Sequence, residues 1–200
     1  MSLVSTRPAP LSRDAVLGAA RTLIASDGLE ALSLRRVGAS LGVSAPALYA
    51  YVDNKSDLLR GVAELEFESL LEEFERLGDR DAIGQIRGHA HAYIAHARAH
   101  PALFQVMFLF RPGWAPQAVA DDLPVATKAF ALAGAAIEEA MDSGQLRRAD
   151  PFVTAMALWA AAHGTATVLL SGLDLGDVLE SQIVDAVVDN LLRGLAGPID

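Results

Sequence analysis

Four side chains able to ligate or to exchange a proton recur at helical spacing in the second half of the chain. His89, Tyr93, His96 and His100 are separated by four, three and four residues, which stacks them along one side of a helix. Histidines one turn apart can share a metal. No carboxylate shares this stripe, however, so the spacing also suits a polar edge of a ligand pocket, or a partly exposed rim, the reading favoured here because Ile83, Ile86, Ala90, Ile94 and Ala97 mark a core face about a quarter turn away. No metal is assigned. A second constellation is bulkier: Phe152, Met156, Trp159 and His163 fall at steps of four, three and four, Phe104, Met107, Phe108 and Phe110 cluster after Pro101, and Trp114 sits in the RPGWAP segment. Converging methionine and aromatic side chains suit a site for something flat and apolar, and they suit an ordinary core as well. The candidate ligand residues are Tyr93, Phe104, Met107, Phe108, Trp114, Met156, Trp159 and His163, the last as a polar anchor or as a histidine satisfied by a backbone carbonyl. No nucleophile elbow, phosphate loop, metal-protease motif or paired-carboxylate site is present, so no catalytic residue and no cofactor is implied, and the chain does not read as an enzyme.

The elements that must position these residues are helices. Hydrophobic content of 52% comes in Ala-rich runs with few β-branched alternations, which points to an all-α protein. Ser12 reads as the cap of a first helix stopped by Gly28, Ser33 as the cap of a second ended at Gly42, Ser44 as the cap of a third with Pro46 in its first turn, and Asn54 as the cap of a fourth running to about Leu77. Further helices are expected over 82–100, 102–110, 123–141, 151–171 and 177–195, about nine in all. Residues 1–11 read as a flexible arm, 12–60 as a DNA-binding domain and 61–200 as a ligand-binding and dimerisation domain. With no cysteine there is no disulfide framework or cysteine-ligated zinc. No apolar run reaches the eighteen or so uninterrupted residues of a membrane span and the N-terminus offers no export signal, so the expected place is the cytoplasm, with no membrane partner.

A net charge of −9 argues against nucleic acid until the chain is divided. Residues 1–60 hold seven Lys/Arg against five Asp/Glu, and the remainder nine against twenty, leaving a mildly basic head on an acidic body. Within that head, Val37, Leu41, Val43 and Leu48 can pack three short helices while Gly42 supplies the left-handed turn. This is a helix-turn-helix, and it leaves Ser44, Ala45, Pro46, Ala47 and Tyr49 to face the major groove of double-stranded DNA.

The order LSLRRVGASLGVSAPALYAYVDNKSDLL resembles the DNA-binding head of the TetR family of transcriptional regulators over about residues 12–60. It departs at Gly38, where the family usually has alanine, and a glycine there should loosen the second helix by about 1 kcal/mol. The resemblance implies that Tyr49 and Tyr51 offer hydroxyls to phosphates or base edges, that Lys55 and the N–H groups opening the fourth helix hold one phosphate, and that Ser33 with Arg35 or Arg36 grips another. Small residues at 44–46 carry little hydrogen-bond code, so specificity should lean partly on DNA shape. LWAAAHG, with HPALFQVMF upstream, is similar to a Trp-His-Gly type of C-terminal domain in the same family.

One short recognition helix makes too few contacts for a unique site, which calls for a homodimer. The expected seam is the last two helices, with Val168, Ile183, Val184, Val187, Val188 and Leu191 in the contact. The expected function is a repressor that binds a palindromic operator and is released by a small hydrophobic or aromatic effector. A DNA-binding activator or architectural protein with a ligand-inert body is the alternative, and an enzyme using the body cavity a further one.

Overall fold

The computed structural model describes residues 11–78, 80–109 and 123–196; residues 1–10 of the arm, Phe110 and the RPGWAP segment with Trp114 lie outside the described residues. Nine α-helices and no β-strand occur among the described residues, so the chain is all-α. It divides into two compact units, 1–62 and 63–200.

The first unit begins with α1 (Arg13–Asp27). Its end groups are satisfied as the sequence suggests: Ser12 Oγ accepts the Ala15 N–H at 3.1 Å, and Gly28, at φ 82°, donates its own N–H to the Ile24 carbonyl at 2.9 Å. A 3-10 turn over Leu29–Ala31 leads to α2 (Leu34–Ser40), where Ser33 Oγ accepts the Arg36 N–H at 3.3 Å. Then comes α3 (Ala45–Leu48). Ser44 occupies its cap position, but its hydroxyl makes no cap bond; in so short a helix the Ser44 carbonyl accepts the Ala47 N–H at 3.0 Å and Pro46 has no N–H to satisfy. Asn54 caps α4 (Lys55–Glu75) by accepting the Asp57 N–H at 3.0 Å. Val16, Ala20, Ile24, Val37, Leu48 and Leu58 fill the middle of this unit with no exposed surface.

Gly38 acquires a reason that the sequence does not show. A Cβ at this position would stand 2.8 Å from the Val43 carbonyl oxygen and 3.2 Å from the Ala45 nitrogen, so glycine lets the turn before α3 lie directly on α2. The looser helix is offset by that closer approach, which the Val43 N–H to Gly38 carbonyl hydrogen bond at 2.9 Å secures.

In the second unit α5 (Ala82–Ala99) is the central element, packed against α7 (Pro124–Asp142) and α8 (Pro151–Leu169) and touching α6 (Pro101–Met107) and α9 (Asp177–Leu195). Asp81 and Asp150 cap α5 and α8 through the N–H groups of Gly84 and Val153, each at 2.9 Å. α7 has no side-chain cap of its own; Glu64 reaches it from α4 and accepts the Val125 N–H at 3.1 Å. Ile86, Ile137, Ala140, Met141, Leu146, Ala155, Val188 and Leu192 form one buried cluster around α5. α6 stops at Met107, three residues short of the expected Phe110.

α8 is long and apolar enough, by length and composition, to cross a membrane, yet a third of it is buried in this fold. Thr154 and Thr165 are buried with their hydroxyls on carbonyls one turn back, at 2.9 and 2.8 Å, and Ala155, Ala162 and Ala166 pack inward. Apolar residues therefore continue round the helix: Phe152, Val153, Met156 and Val168 all lie exposed on its other side.

Candidate functional site

Two places could carry function, one in each unit. In the first, α3 buries only Leu48 and turns Ser44, Pro46, Ala47 and Tyr49 outward, with Ala45 half-buried; Tyr49 is 57% exposed. A large phenol left in water next to small side chains allows close approach to a surface that can use its hydroxyl. Lys55 and Arg35 are exposed as well. Arg36 is exposed but already committed, to the Asp27 carboxylate and to the Ala31 carbonyl at 3.3 Å, while the Ser33 oxygen accepts the cap bond of α2 and its O–H remains able to donate. Tyr51 is half-buried.

What fixes this face is a group that the sequence reading passed over. The Asp57 carboxylate, 7% exposed, accepts Arg13 Nη2 at 2.9 Å and Nη1 at 3.0 Å, the Asp53 N–H at 3.0 Å and Arg60 Nη2 at 3.5 Å. Arg13 Nη1 also donates to the Tyr51 carbonyl at 2.6 Å, so one guanidinium ties the end of α3 to α1 and to the first turn of α4. The Arg13 hydrogen bond, against the opposing effect of burial, holds the Asp57 carboxyl well below the usual carboxylate range. The available signal was the cap spacing, Asn54 followed three residues later by Asp57. One of the N–H groups expected to meet a phosphate, that of Asp57, is thereby taken by Asn54.

In the second unit a cavity of about 120 Å³ opens between α4, α5, α7, α8 and α9. Its wall includes Phe67, Leu70 and Phe74 from α4, Ala126, Ala129, Phe130 and Ala133 from α7, Leu158 and Trp159 from α8, and Val187, Val188 and Leu191 from α9. Among the described residues no lining side chain carries a formal charge at neutral pH. Among these described residues, polar side-chain atoms come only from His89, Tyr93 and Trp159. The Tyr93 hydroxyl is hydrogen-bonded to His163 Nδ1 at 2.8 Å; burial raises its pKa, with the Trp159 indole opposing in part, and burial lowers that of His163, so both are neutral. His89, 5% exposed and ringed by apolar groups with Phe74 4.5 Å away, has its pKa pushed down to about 4 by burial alone. Its Nδ1 has no hydrogen-bond partner among the described residues, which costs about 1–3 kcal/mol.

The histidine stripe is corrected in two ways. His89 and His96 are buried rather than at a rim, because α5 is the centre of the unit and helices cover it on several sides. The missing carboxylates come from another element: His96 Nδ1 meets Glu73 at 3.1 Å and Nε2 faces Glu66 at 3.5 Å, both on α4. Burial pulls the His96 pKa down, but these two carboxylates outweigh it and the net direction is up. No group of three such residues placed to hold a metal occurs among the described residues.

Of the residues proposed for a ligand, Tyr93 and Trp159 line the cavity. Phe104 and Met107 are buried and Phe108 is half-buried; Phe104, Phe108 and His163 stack beside Tyr93 and Trp159, and none of these three, nor Met107, is among the residues lining the void. Met156 is 37% exposed, on the outer side of α8, and Trp114 is outside the described residues. Among the residues expected at a dimer seam, Val168 is exposed and Ile183, Val187 and Leu191 are half-buried. Val184 and Val188 are buried in their own unit, because the apolar stripe of α9 is broad enough for one edge to face inward. Beyond it, Val178 and Leu179 are exposed.

A family profile described as bacterial regulatory proteins, tetR family, matches residues 16–62, and one described as a tetracyclin repressor-like C-terminal domain matches residues 86–195. Neither description names a Trp-His-Gly type. The uncharacterized HTH-type transcriptional regulator Rv0681 of Mycobacterium tuberculosis is 28% identical over 193 residues, covering 96% of this chain and 83% of its own. Among solved structures, a protein of unknown function from Rhodococcus sp. RHA1 aligns with a TM-score of 0.80 and 28% identity over 96% of this chain and 99% of that one. AibR, solved with isovaleryl coenzyme A and operator DNA, shares the fold at a TM-score of 0.66 and 20% identity, over 90% and 97% of the two chains.

Proposed function

From the premise that the chain belongs to the TetR family of transcriptional regulators, we propose that it is a cytoplasmic repressor, not an enzyme, that binds a palindromic operator as a homodimer and leaves it when a small hydrophobic molecule occupies the body cavity. The observation that carries this reading is the outward face of α3, where Tyr49 stands exposed among Ser44, Pro46 and Ala47 on a helix held by the Arg13–Asp57 pair. Ala45 and Ala47 bring the helix close to bases, Tyr49 and Lys55 meet phosphates, and Ser33, Arg35, Arg36 and Tyr51 border the contact. A two-fold operator follows from a two-fold dimer, for which the exposed apolar side of α8, with Ala160 and Gly164 allowing close approach, is a suitable seam together with α9.

Fluorescence anisotropy with the gene's own promoter region at low salt tests the first half. The dimer should bind; Tyr49→Phe and Lys55→Ala should weaken binding, and the lysine change should also reduce the salt slope by about one. Failure of the unaltered dimer to bind would reject the reading. Gly164→Glu, which puts a charge on the outward side of α8, should shift the sedimenting species from dimer to monomer.

A further inference from the structure

We infer that the body cavity selects an uncharged, single-ring aromatic molecule bearing one hydroxyl, and that His89 is the group that reads the hydroxyl. The inference rests on the effector-cavity reading above and narrows it to a chemical class.

Three observations meet here. At about 120 Å³ the void is of the size class that admits one aromatic ring, since a dry apolar cavity of roughly 150 Å³ accommodates benzene. Its wall is aromatic and aliphatic, with Phe74, Phe130 and Trp159 offering flat surfaces and Ala129 and Ala133 the room. Among the described residues no lining side chain can neutralise a carboxylate or phosphate, so an anion would lose its hydration without a partner.

The remaining polar chemistry is then decisive. Tyr93 already shares its hydroxyl with His163, whereas His89 lines the cavity, is 5% exposed and carries a buried ring nitrogen, Nδ1, with no hydrogen-bond partner among the described residues. A neutral imidazole has one donor and one acceptor, and a hydroxyl can answer either, so it fits whichever tautomer is present. A hydroxyl in a wholly apolar cavity, by contrast, would be a liability, because it would give up its water and gain nothing.

Isothermal titration of the full-length protein near pH 7.5 with 4-ethylphenol, ethylbenzene and 4-ethylbenzoate tests this. 4-Ethylphenol is expected to bind at least as tightly as ethylbenzene, and 4-ethylbenzoate not detectably. In His89→Phe the phenol should weaken by roughly tenfold while ethylbenzene changes little, and in His89→Gln, which keeps a donor and an acceptor, the phenol should retain most of its affinity. The comparison of the two neutral probes in the unaltered protein needs no variant to fold. If ethylbenzene binds and 4-ethylphenol does not, or if the benzoate binds best, the assignment of class is overturned while the cavity remains a binding site. If none of the three binds, both the class and the effector-cavity reading fail together.

Discussion

The Asp57 site and the His89 site are both buried polar groups, and they are built on opposite terms. Asp57 is saturated: two arginines and the Asp53 backbone N–H converge on one carboxylate. His89 is starved, an imidazole against Phe74 whose Nδ1 meets no hydrogen-bond partner among the described residues, with a void beside it. A saturated site gains nothing from an added molecule and fixes the shape around it, as a surface that must match a rigid duplex requires. An unsatisfied one leaves free energy to be recovered by whatever enters. The difference between the units therefore lies less in their helices than in how completely their buried polar atoms are met.

Protonation offers the largest test of that contrast. His89 has a folded-state pKa of about 4, below its ordinary 6.5, so it binds a proton more readily when unfolded. Its effect on stability is absent above pH 6.5, and destabilisation grows as pH falls toward 4, reaching roughly 3 kcal/mol. Chemical unfolding between pH 7 and 4.5, followed by the fluorescence of tryptophans found only in the body, should show this loss, and His89→Phe should remove that part of it. His96 runs the other way: its raised pKa makes its ion contacts with Glu66 and Glu73 stabilising below pH 6.5, and that contribution fades as pH rises through the folded-state value. His96→Gln should flatten the alkaline side of the profile.

At the saturated site, Asp57→Ala should cost the head about 2 kcal/mol, less than a fully buried pair because Arg13 is 44% exposed and can turn to water. Hydrogen exchange in α1 and at the start of α4 would report it, and the body's tryptophan signal should not move. Gly38→Ala should lower head stability by about 1 kcal/mol: the gain in helix propensity is real, but the new Cβ meets backbone at 2.8 Å, and backbone cannot swing aside. Filling the void is the smallest change. Ala133→Leu should stabilise the body by about 0.5–1 kcal/mol in the same unfolding measurement, and a loss there would mean the wall cannot accept the added carbons.

Local chemistry was legible in the sequence and long-range meeting was not. Ser12, Ser33 and Asn54 cap where their types and spacing say they should, and α9 has the bounds its periodicity marks, because caps and periodicity are properties of neighbouring residues. The cavity is different. The largest side chains were the expected place for it, yet Phe104 and Phe108 stack on one another, Met107 is buried away from the void, and the void is lined instead by Ala126, Ala129 and Ala133 of α7 with Phe67, Phe74 and Trp159. Which face of one helix opposes which face of another is fixed only by the assembled fold, and the same ignorance hid Glu66 and Glu73 from His96.

The hydrogen bond between Tyr93 and His163 joins the wall of the cavity to α8, whose far side carries Phe152, Val153, Met156 and Val168 in the open. An occupant that pulls on Tyr93 pulls on that helix. Reciprocity then requires that whatever associates through the outer side of α8 alters the grip on the occupant by the same factor with which the occupant alters the association. Ligand titrations run at different protein concentrations would not superimpose, and the displacement between their curves would measure how strongly the inside of this helix feels the outside.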